Sequence, residues 1–157
     1  MKQETYEMFA YADKATIVKT LETELALRNE SPFWKDKVVP FTSAILSVLI
    51  PLRDEKLLFT PEGNKVEKLT PELFLLWSDF LSLKILAFTL QFSNMEGKLL
   101  RTSLDEEVCS KYKEIDLSEL AEYLNKYSVN LEYENLDFPI ANYNLHQGVS
   151  NVIKSLF

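Results

Sequence analysis

The 157-residue sequence has few of the residues on which most compact catalytic and ligand-binding motifs depend: three glycines, one cysteine and one histidine. The glycines are too widely separated for a phosphate-binding P-loop, a GxGxxG dinucleotide motif or a GxSxG nucleophile elbow. A single cysteine excludes an internal disulfide, and with a single histidine it excludes a histidine- or cysteine-dominated zinc site within one chain. We therefore expect no metal, no cofactor and no enzymatic activity.

Basic residues are also in the minority, since 17 lysines and arginines face 24 aspartates and glutamates and give a net charge of −7. Proteins that bind nucleic acid directly usually carry the opposite charge, so direct nucleic-acid binding is not expected. Residues 1–11 lack the apolar run of a signal peptide, and one unpaired cysteine is compatible with a reducing compartment. These features predict a cytoplasmic protein.

Long apolar runs are limited to two segments. Residues 38–52 are uncharged, but a helix of that length reaches only about 22 Å across an apolar layer of about 30 Å. Residues 73–92 are long enough, but Asp79 and Lys84 each cost about 2.5–3.5 kcal/mol near the centre of a membrane, which offsets the apolar side chains. We predict a buried core helix here, and no membrane insertion.

The sequence is rich in signals that begin helices. A hydroxyl residue followed by proline, as in Ser31–Pro32 and Thr70–Pro71, caps a helix and occupies its first position at no cost in hydrogen bonds. Apolar spacing predicts one helix after Asp13, one from Pro32, and a central one from Pro71 to Gln91. The central helix should be apolar except along a seam of small polar residues: Ser78, Asp79, Ser82, Thr89 and Ser93.

Three weaker helices complete the prediction. They are expected to begin at Ser103, where Glu106 completes a capping box, at Asp116, and near Asn142. The last should extend to about Leu156. The fold class is therefore all-α, a bundle of six or seven helices in a single domain that spans residues 1–157.

Three local features complicate this pattern. Pro40 should kink or interrupt the second helix. Turn residues between two apolar segments make one short β-hairpin an option near residues 57–69. Residues 128–139 alternate in polarity and predict a short strand or an extended loop.

The last third of the chain is acidic, because residues 102–157 contain ten acidic and four basic residues. A solvated helix surface explains this pattern, since carboxylates often begin helices. A docking surface for a basic protein partner explains it as well. The candidate acidic face within residues 105–137 consists of Asp105, Glu106, Glu107, Glu114, Asp116, Glu119 and Glu122. The interspersed tyrosines belong either to the core or to the same interface: Tyr112, Tyr123, Tyr127 and Tyr133.

Cys109 and His146 are the one cysteine and one histidine that could act as nucleophile and base. Neither has a local signature, and the carboxylates of residues 105–107 would raise the pKa of the Cys109 thiol and so make it less reactive. We interpret them as a half-buried cysteine and a histidine on a helix surface.

Two segments carry a resemblance to a known family. Ser31-Pro-Phe-Trp34 precedes Lys35, Asp36 and an apolar helix, and the segment from Asn142 to Ile153 reads NYNLHQGVSNVI. Together they resemble the all-α domain of type IV secretion coupling proteins, the ATPases of conjugation systems. In that family the domain is inserted into a RecA-like motor and is associated with recognition of relaxase–DNA complexes or effector proteins at the cytoplasmic face of the inner membrane.

The resemblance implies a non-catalytic substrate-recognition domain whose two ends lie close together. Since no P-loop is present, ATP binding and hydrolysis are not implied for this chain. We expect a monomer that binds a basic relaxase or effector. The alternative is a small helical adaptor or secretion chaperone that binds a protein partner through an apolar groove, forms a dimer, and binds independently of salt.

Overall fold

The computed structural model describes residues 3–29, 31–91, 106–129 and 139–157. The chain forms eight helices in these ranges: α1 (Gln3–Tyr11), α2 (Lys14–Leu27), α3 (Pro32–Asp54), α4 (Pro71–Trp77), α5 (Phe80–Gln91), α6 (Glu106–Lys113), α7 (Ser118–Asn125) and α8 (Ile140–Ser155). This confirms the all-α fold class. The helix count exceeds the six or seven predicted because α1 was not anticipated and the expected central helix is divided into α4 and α5. The predicted start at Ser103 and most of residues 128–139 lie outside the described residues.

The predicted caps of α2, α3 and α4 are confirmed. In each helix the side-chain oxygen of the residue before the first turn accepts a hydrogen bond from the backbone N–H three residues later. The distances are 2.8 Å from Asp13 to Thr16, 3.4 Å from Ser31 to Trp34 and 3.1 Å from Thr70 to Leu73. Each bond satisfies a backbone donor that the helix itself leaves unpaired.

The prediction of one continuous helix over residues 71–91 is wrong, because α4 and α5 meet at a bend of 88°. Ser78 ends α4, and its hydroxyl donates to the carbonyl of Phe74 over 2.7 Å. Asp79 then begins α5, because its carboxylate accepts the backbone N–H of Ser82 over 3.1 Å. Two members of the predicted polar seam therefore terminate one helix and cap the next.

The predicted interruption at Pro40 does not occur, and α3 continues through both Pro40 and Pro51. A proline within a helix removes one backbone hydrogen bond. Against that loss, α3 buries ten side chains and packs against α2, α4, α7 and α8. Tertiary packing therefore keeps α3 continuous.

The hairpin considered near residues 57–69 is reduced to a single antiparallel bridge between Phe59 and Lys65, and no strand occurs in the described ranges. Core side chains bond this segment instead. The indole N–H of Trp77 donates to the backbone carbonyl of Phe59 over 3.2 Å, and the hydroxyl of Tyr112 donates to the backbone carbonyl of Leu57 over 2.7 Å. These bonds satisfy carbonyls that a partner strand would otherwise pair.

The first helix contacts the end of the chain. Phe9 of α1 is fully buried, with ring centroids 5.3 Å from Phe74 and 5.7 Å from Phe157. Arg53 at the end of α3 donates to the carbonyls of Phe9 and Ala12 over 3.0 and 2.6 Å. The expectation that the two ends lie close together agrees with these contacts.

Within the described ranges, no helix taken singly combines the length and the apolar composition needed to cross a bilayer. The bent pair α4 and α5 satisfies both criteria by length and composition when its two parts are taken together.

Candidate functional site

The structure divides the candidate acidic face into three groups. Asp105 lies outside the described residues, and Glu106 and Glu107 lie in α6 with side chains that are not described. Glu114, Asp116 and Glu122 are exposed on the α6–α7 region. Glu119 is in α7 and is partly exposed.

Glu119 is already bonded within the chain. One carboxylate oxygen accepts from Lys14 Nζ over 2.9 Å, and the other accepts from Ser43 Oγ over 3.1 Å. These bonds join α7 to α2 and α3. Because the Lys14–Glu119 pair is about 40% exposed (38% and 42%), solvent screens it and its contribution to stability is small. We therefore assign Glu119 to the contacts between helices and leave it out of the binding surface.

Asp116 precedes α7 and bonds to its first residue. Its carboxylate accepts from the Ser118 hydroxyl over 2.5 Å and from the Ser118 backbone N–H over 2.9 Å. The hydroxyl bond first, and the backbone bond second, lower the pKa of Asp116, so the exposed carboxylate is ionised at neutral pH. The sequence placed a helix start at this residue, and the observed start is two residues later.

A surface groove of about 560 Å³ lies between the end of α5 and the α6–α7 connection. Leu90, Ile115, Leu117 and Ala121 give it apolar walls, and Asp116 lies at its edge. Its lining also includes Lys113 and Ser118. We call this the α5–α7 groove. Its lining combines apolar side chains with one acidic and one basic residue, Asp116 and Lys113, so a segment that docks there needs an apolar side chain and a basic group placed next to Asp116.

Lysines accompany these carboxylates. Lys111 and Lys113 are exposed in the last turn of α6, and Lys126 is exposed at the end of α7. The region therefore carries both positive and negative charges. Because salt screens electrostatic interactions beyond about 8 Å at physiological ionic strength, each carboxylate attracts only the basic groups close to it.

The tyrosines are core residues where they are described. Tyr112 and Tyr123 are 1% and 6% exposed, and Tyr127 packs partly buried against the core. Tyr133 lies outside the described residues. Of the two alternatives for Tyr112 and Tyr123, the core is therefore confirmed, and their rings anchor α6 and α7.

His146 is buried, so its placement on a helix surface was wrong. Its ring stacks on Phe80 with centroids 4.0 Å apart and also contacts Phe41, Tyr123 and Tyr127. Burial lowers the pKa of His146, and the charge of Lys37 lowers it further against the opposing effect of the Asn142 carbonyl. Cys109, its supposed partner, lies in α6, and its side chain is not described.

The two segments that carry the family resemblance are in contact. The indole of Trp34 packs directly on the backbone of α8 at Gly148, where an added Cβ would lie 2.9 Å from Cζ3 and closer still to Cη2. Phe33 is 53% exposed and packs edge-on against Trp34, with ring centroids 5.0 Å apart.

A second groove, of about 490 Å³, lies between α2 and α3. Leu25, Ala26, Val39 and Pro40 supply apolar surface, and its charged lining residues are Glu22, Lys35 and Asp36. We call this the α2–α3 groove.

No group of three or more histidine, cysteine, aspartate or glutamate side chains is arranged to hold a metal ion in the part of the chain that the structure describes.

The comparisons with known proteins add no relative. Neither family models, nor curated proteins, nor solved structures give a match to this chain.

Proposed function

We propose that this chain is a non-catalytic substrate-recognition domain that docks a basic segment of a protein partner in the α5–α7 groove. The partner is a relaxase or an effector protein, as for the coupling-protein domain that the sequence resembles. The observation that carries the proposal is a groove whose lining combines apolar side chains with Asp116, in a region where Glu114 and Glu122 are also exposed.

The charge on the groove gives the proposal its specificity. The carboxylates are fixed on α7 and on the connection before it, and the neighbouring lysines would repel a segment docked out of register. A partner is then selected by the spacing of its basic and apolar side chains, rather than by its total charge. Binding should weaken as salt rises.

The test begins with capture of partners from lysate by the tagged chain at low and high salt, followed by mass spectrometry. The affinity of each recovered relaxase or effector is then measured by calorimetry for the original chain and for Glu114→Lys with Glu122→Lys. We expect the double variant to bind up to about thirtyfold more weakly, since the two exposed charges contribute up to about 1 kcal/mol each. Asp116 is left unchanged because its carboxylate also bonds to Ser118.

Glu62→Lys with Glu67→Lys provides the matched control. Both residues are exposed in the connection between α3 and α4, and the two double variants change the net charge equally. The control should leave the affinity unchanged. Equal weakening by both pairs would show a nonspecific charge effect and would contradict docking in the α5–α7 groove.

The alternative function, an adaptor or secretion chaperone, is favoured by the α2–α3 groove. Leu27 at the end of α2 and Phe33 at the start of α3 are 73% and 53% exposed on the two helices that form this groove. Binding there should be insensitive to salt and should be reduced by Val39→Asp. Retained affinity in Glu114→Lys with Glu122→Lys, together with loss in Val39→Asp, would favour this second function.

A further inference from the structure

The one histidine of the chain is enclosed by aromatic rings and has bonds on both nitrogens. Nδ1 of His146 lies 2.7 Å from the carbonyl of Asn142, and Nε2 lies 2.8 Å from the hydroxyl of Tyr123. Phe80 stacks on one face of the ring, and Phe41 and Tyr127 contact it edge-on. The proposed function makes no use of this buried group.

These two bonds determine the tautomer of the imidazole. A carbonyl oxygen only accepts, so Nδ1 must carry the hydrogen that it donates to Asn142. In the neutral ring Nε2 then lacks a hydrogen and accepts from the Tyr123 hydroxyl. Burial, with a further contribution from Tyr127, raises the pKa of the Tyr123 hydroxyl, so it keeps its proton and donates it. The observed contacts thus fit the neutral imidazole protonated at Nδ1.

The same bonds hold α8 against the end of α7. His146 of α8 bonds to Tyr123 of α7, and the Asn142 side chain donates to the backbone carbonyl of Tyr127 over 2.6 Å. Within α8, Nδ1 of His146 also donates to the carbonyl of Asn142. The two residues of α8 that bond to α7 and to the turn after it are therefore bonded to each other as well. With the neutral imidazole, Nε2 is the acceptor in this network.

We propose that His146 is a proton-sensitive latch between α7 and α8, closed while the imidazole is neutral and released when Nε2 gains a proton. A protonated Nε2 is a donor, so it can no longer accept from Tyr123, and the Tyr123 hydroxyl must turn its own hydrogen away and accept from Nε2 instead. The new positive charge would also lie among aromatic rings, away from water.

The charged and titratable groups of the elements around the ring do not compensate for that charge. Tyr123 and Tyr127 contact the ring, and the positive charge of Lys37 on α3 opposes protonation. At the start of α5 Asp79 bonds to the backbone of Ser82, and further along α5 the side chain of Lys84 is buried. The Phe80 face attracts a cation only weakly, so burial dominates and the pKa of His146 lies below its ordinary value.

The direction of the pH dependence follows from this depressed pKa. Below about pH 6.5 His146 binds a proton in the unfolded chain but remains neutral in the folded chain. The folding equilibrium constant therefore decreases as pH falls, by up to about tenfold per pH unit. The latch contributes fully above this pH. Its contribution is lost between the unfolded and the folded pKa of His146.

The primary test is an NMR titration of the full chain labelled with ¹⁵N-histidine, which gives one set of imidazole signals because His146 is the single histidine. We expect a hydrogen on Nδ1 and none on Nε2 at pH 7.5, and a protonation midpoint below 6.5. Amide hydrogen exchange at pH 5.5 and 7.5, corrected for intrinsic exchange rates, should show lower protection of α7 and α8 at pH 5.5. A midpoint at or above 6.5, the opposite tautomer, or unchanged protection would overturn the proposal.

Tyr123→Phe separates the latch from simple packing, because it removes only the hydroxyl that bonds to Nε2. It should raise the midpoint of His146 toward 6.5 and reduce the pH dependence of urea unfolding. Tyr112→Phe is the matched control, since it removes another buried hydroxyl, bonded to Leu57, and should lower stability equally at both pH values. Identical pH profiles for the two variants would contradict the latch. If Tyr123→Phe does not fold, the tautomer and midpoint of the unchanged chain still decide the question.

Discussion

At the scale of single residues, Trp34 and Gly148 show how a residue can be selected by the space around it. A glycine within a helix normally costs about 1 kcal/mol relative to alanine. In α8 the glycine has no side chain, so the Trp34 indole can lie on the helix backbone, where a Cβ would overlap the edge of the ring. The contact joins the start of α3 to the middle of α8 and so contributes to the arrangement of the central helices.

Gly148→Ala should therefore destabilise the chain by about 1–3 kcal/mol, because the clash outweighs the gain in helix propensity. Urea unfolding measures the difference, and Trp34 emission should shift to the red as the indole moves toward solvent. In the background of Trp34→Ala the sign should reverse, since alanine at position 148 then retains only its higher helix propensity. A destabilising effect of equal size in both backgrounds would show that the ring is not responsible.

His146 shows why a correctly predicted helix can still be given the wrong buried face. The last helix was predicted from near Asn142 to about Leu156, and His146 was assigned to its surface. The buried residues of α8 are His146, Val149, Ser150 and Ile153, which follow the helical spacing but include two polar residues. The spacing was present in the sequence. The partners that satisfy the polar atoms, Tyr123 for His146 and Ser78 for Ser150, are contributed by distant elements.

At the scale of helices, the start signals were readable because a cap depends on neighbours within one turn. Asp13, Ser31 and Thr70 were identified in this way. The division between α4 and α5 could not be read from the sequence, because Ser78 and Asp79 fit equally well as a polar stripe on one continuous helix. Their role becomes clear from the fold, where Ser150 of α8 donates a hydrogen bond to the carbonyl of Ser78 at the bend.

Asp79→Ala should destabilise the chain by about 1 kcal/mol, since it removes the acceptor for the backbone N–H of Ser82 at the start of α5. Asp79→Asn should retain most of the stability, because the amide oxygen still accepts that bond. Thermal unfolding of both variants at neutral pH measures the effect. Equal losses for alanine and asparagine would indicate that the charge of Asp79, and not its capping bond, stabilises the bend.

At the scale of the molecule, one continuous core connects the described helices. It extends from Phe9 of α1 through α3 and α5 to Ile153 of α8. The missed helix α1 belongs to this core through Phe9 and through the bonds from Arg53. Only the fold brings these distant partners together, which is why local sequence patterns gave no signal for α1.

A shared core predicts one cooperative unfolding transition. Far-UV circular dichroism reports the helices, and fluorescence of a Trp34→Phe variant reports Trp77, which is 1% exposed at the centre of the core. We expect the two urea transitions of this variant to coincide. A helical signal lost at lower urea than the Trp77 signal would show that some helices unfold independently of the core around Trp77.

The packing of Trp34 on Gly148 also places a joint constraint on sequence change in this fold. A Cβ at position 148 and an indole at position 34 would occupy the same volume. A substitution of Gly148 is therefore tolerated only after Trp34 has been replaced by a smaller residue. Positions 34 and 148 should therefore covary in any set of homologous chains, with glycine accompanying the large ring and alanine or serine accompanying a smaller residue. The two segments that first suggested a family are thus linked by a dependence that sequence variation itself can record.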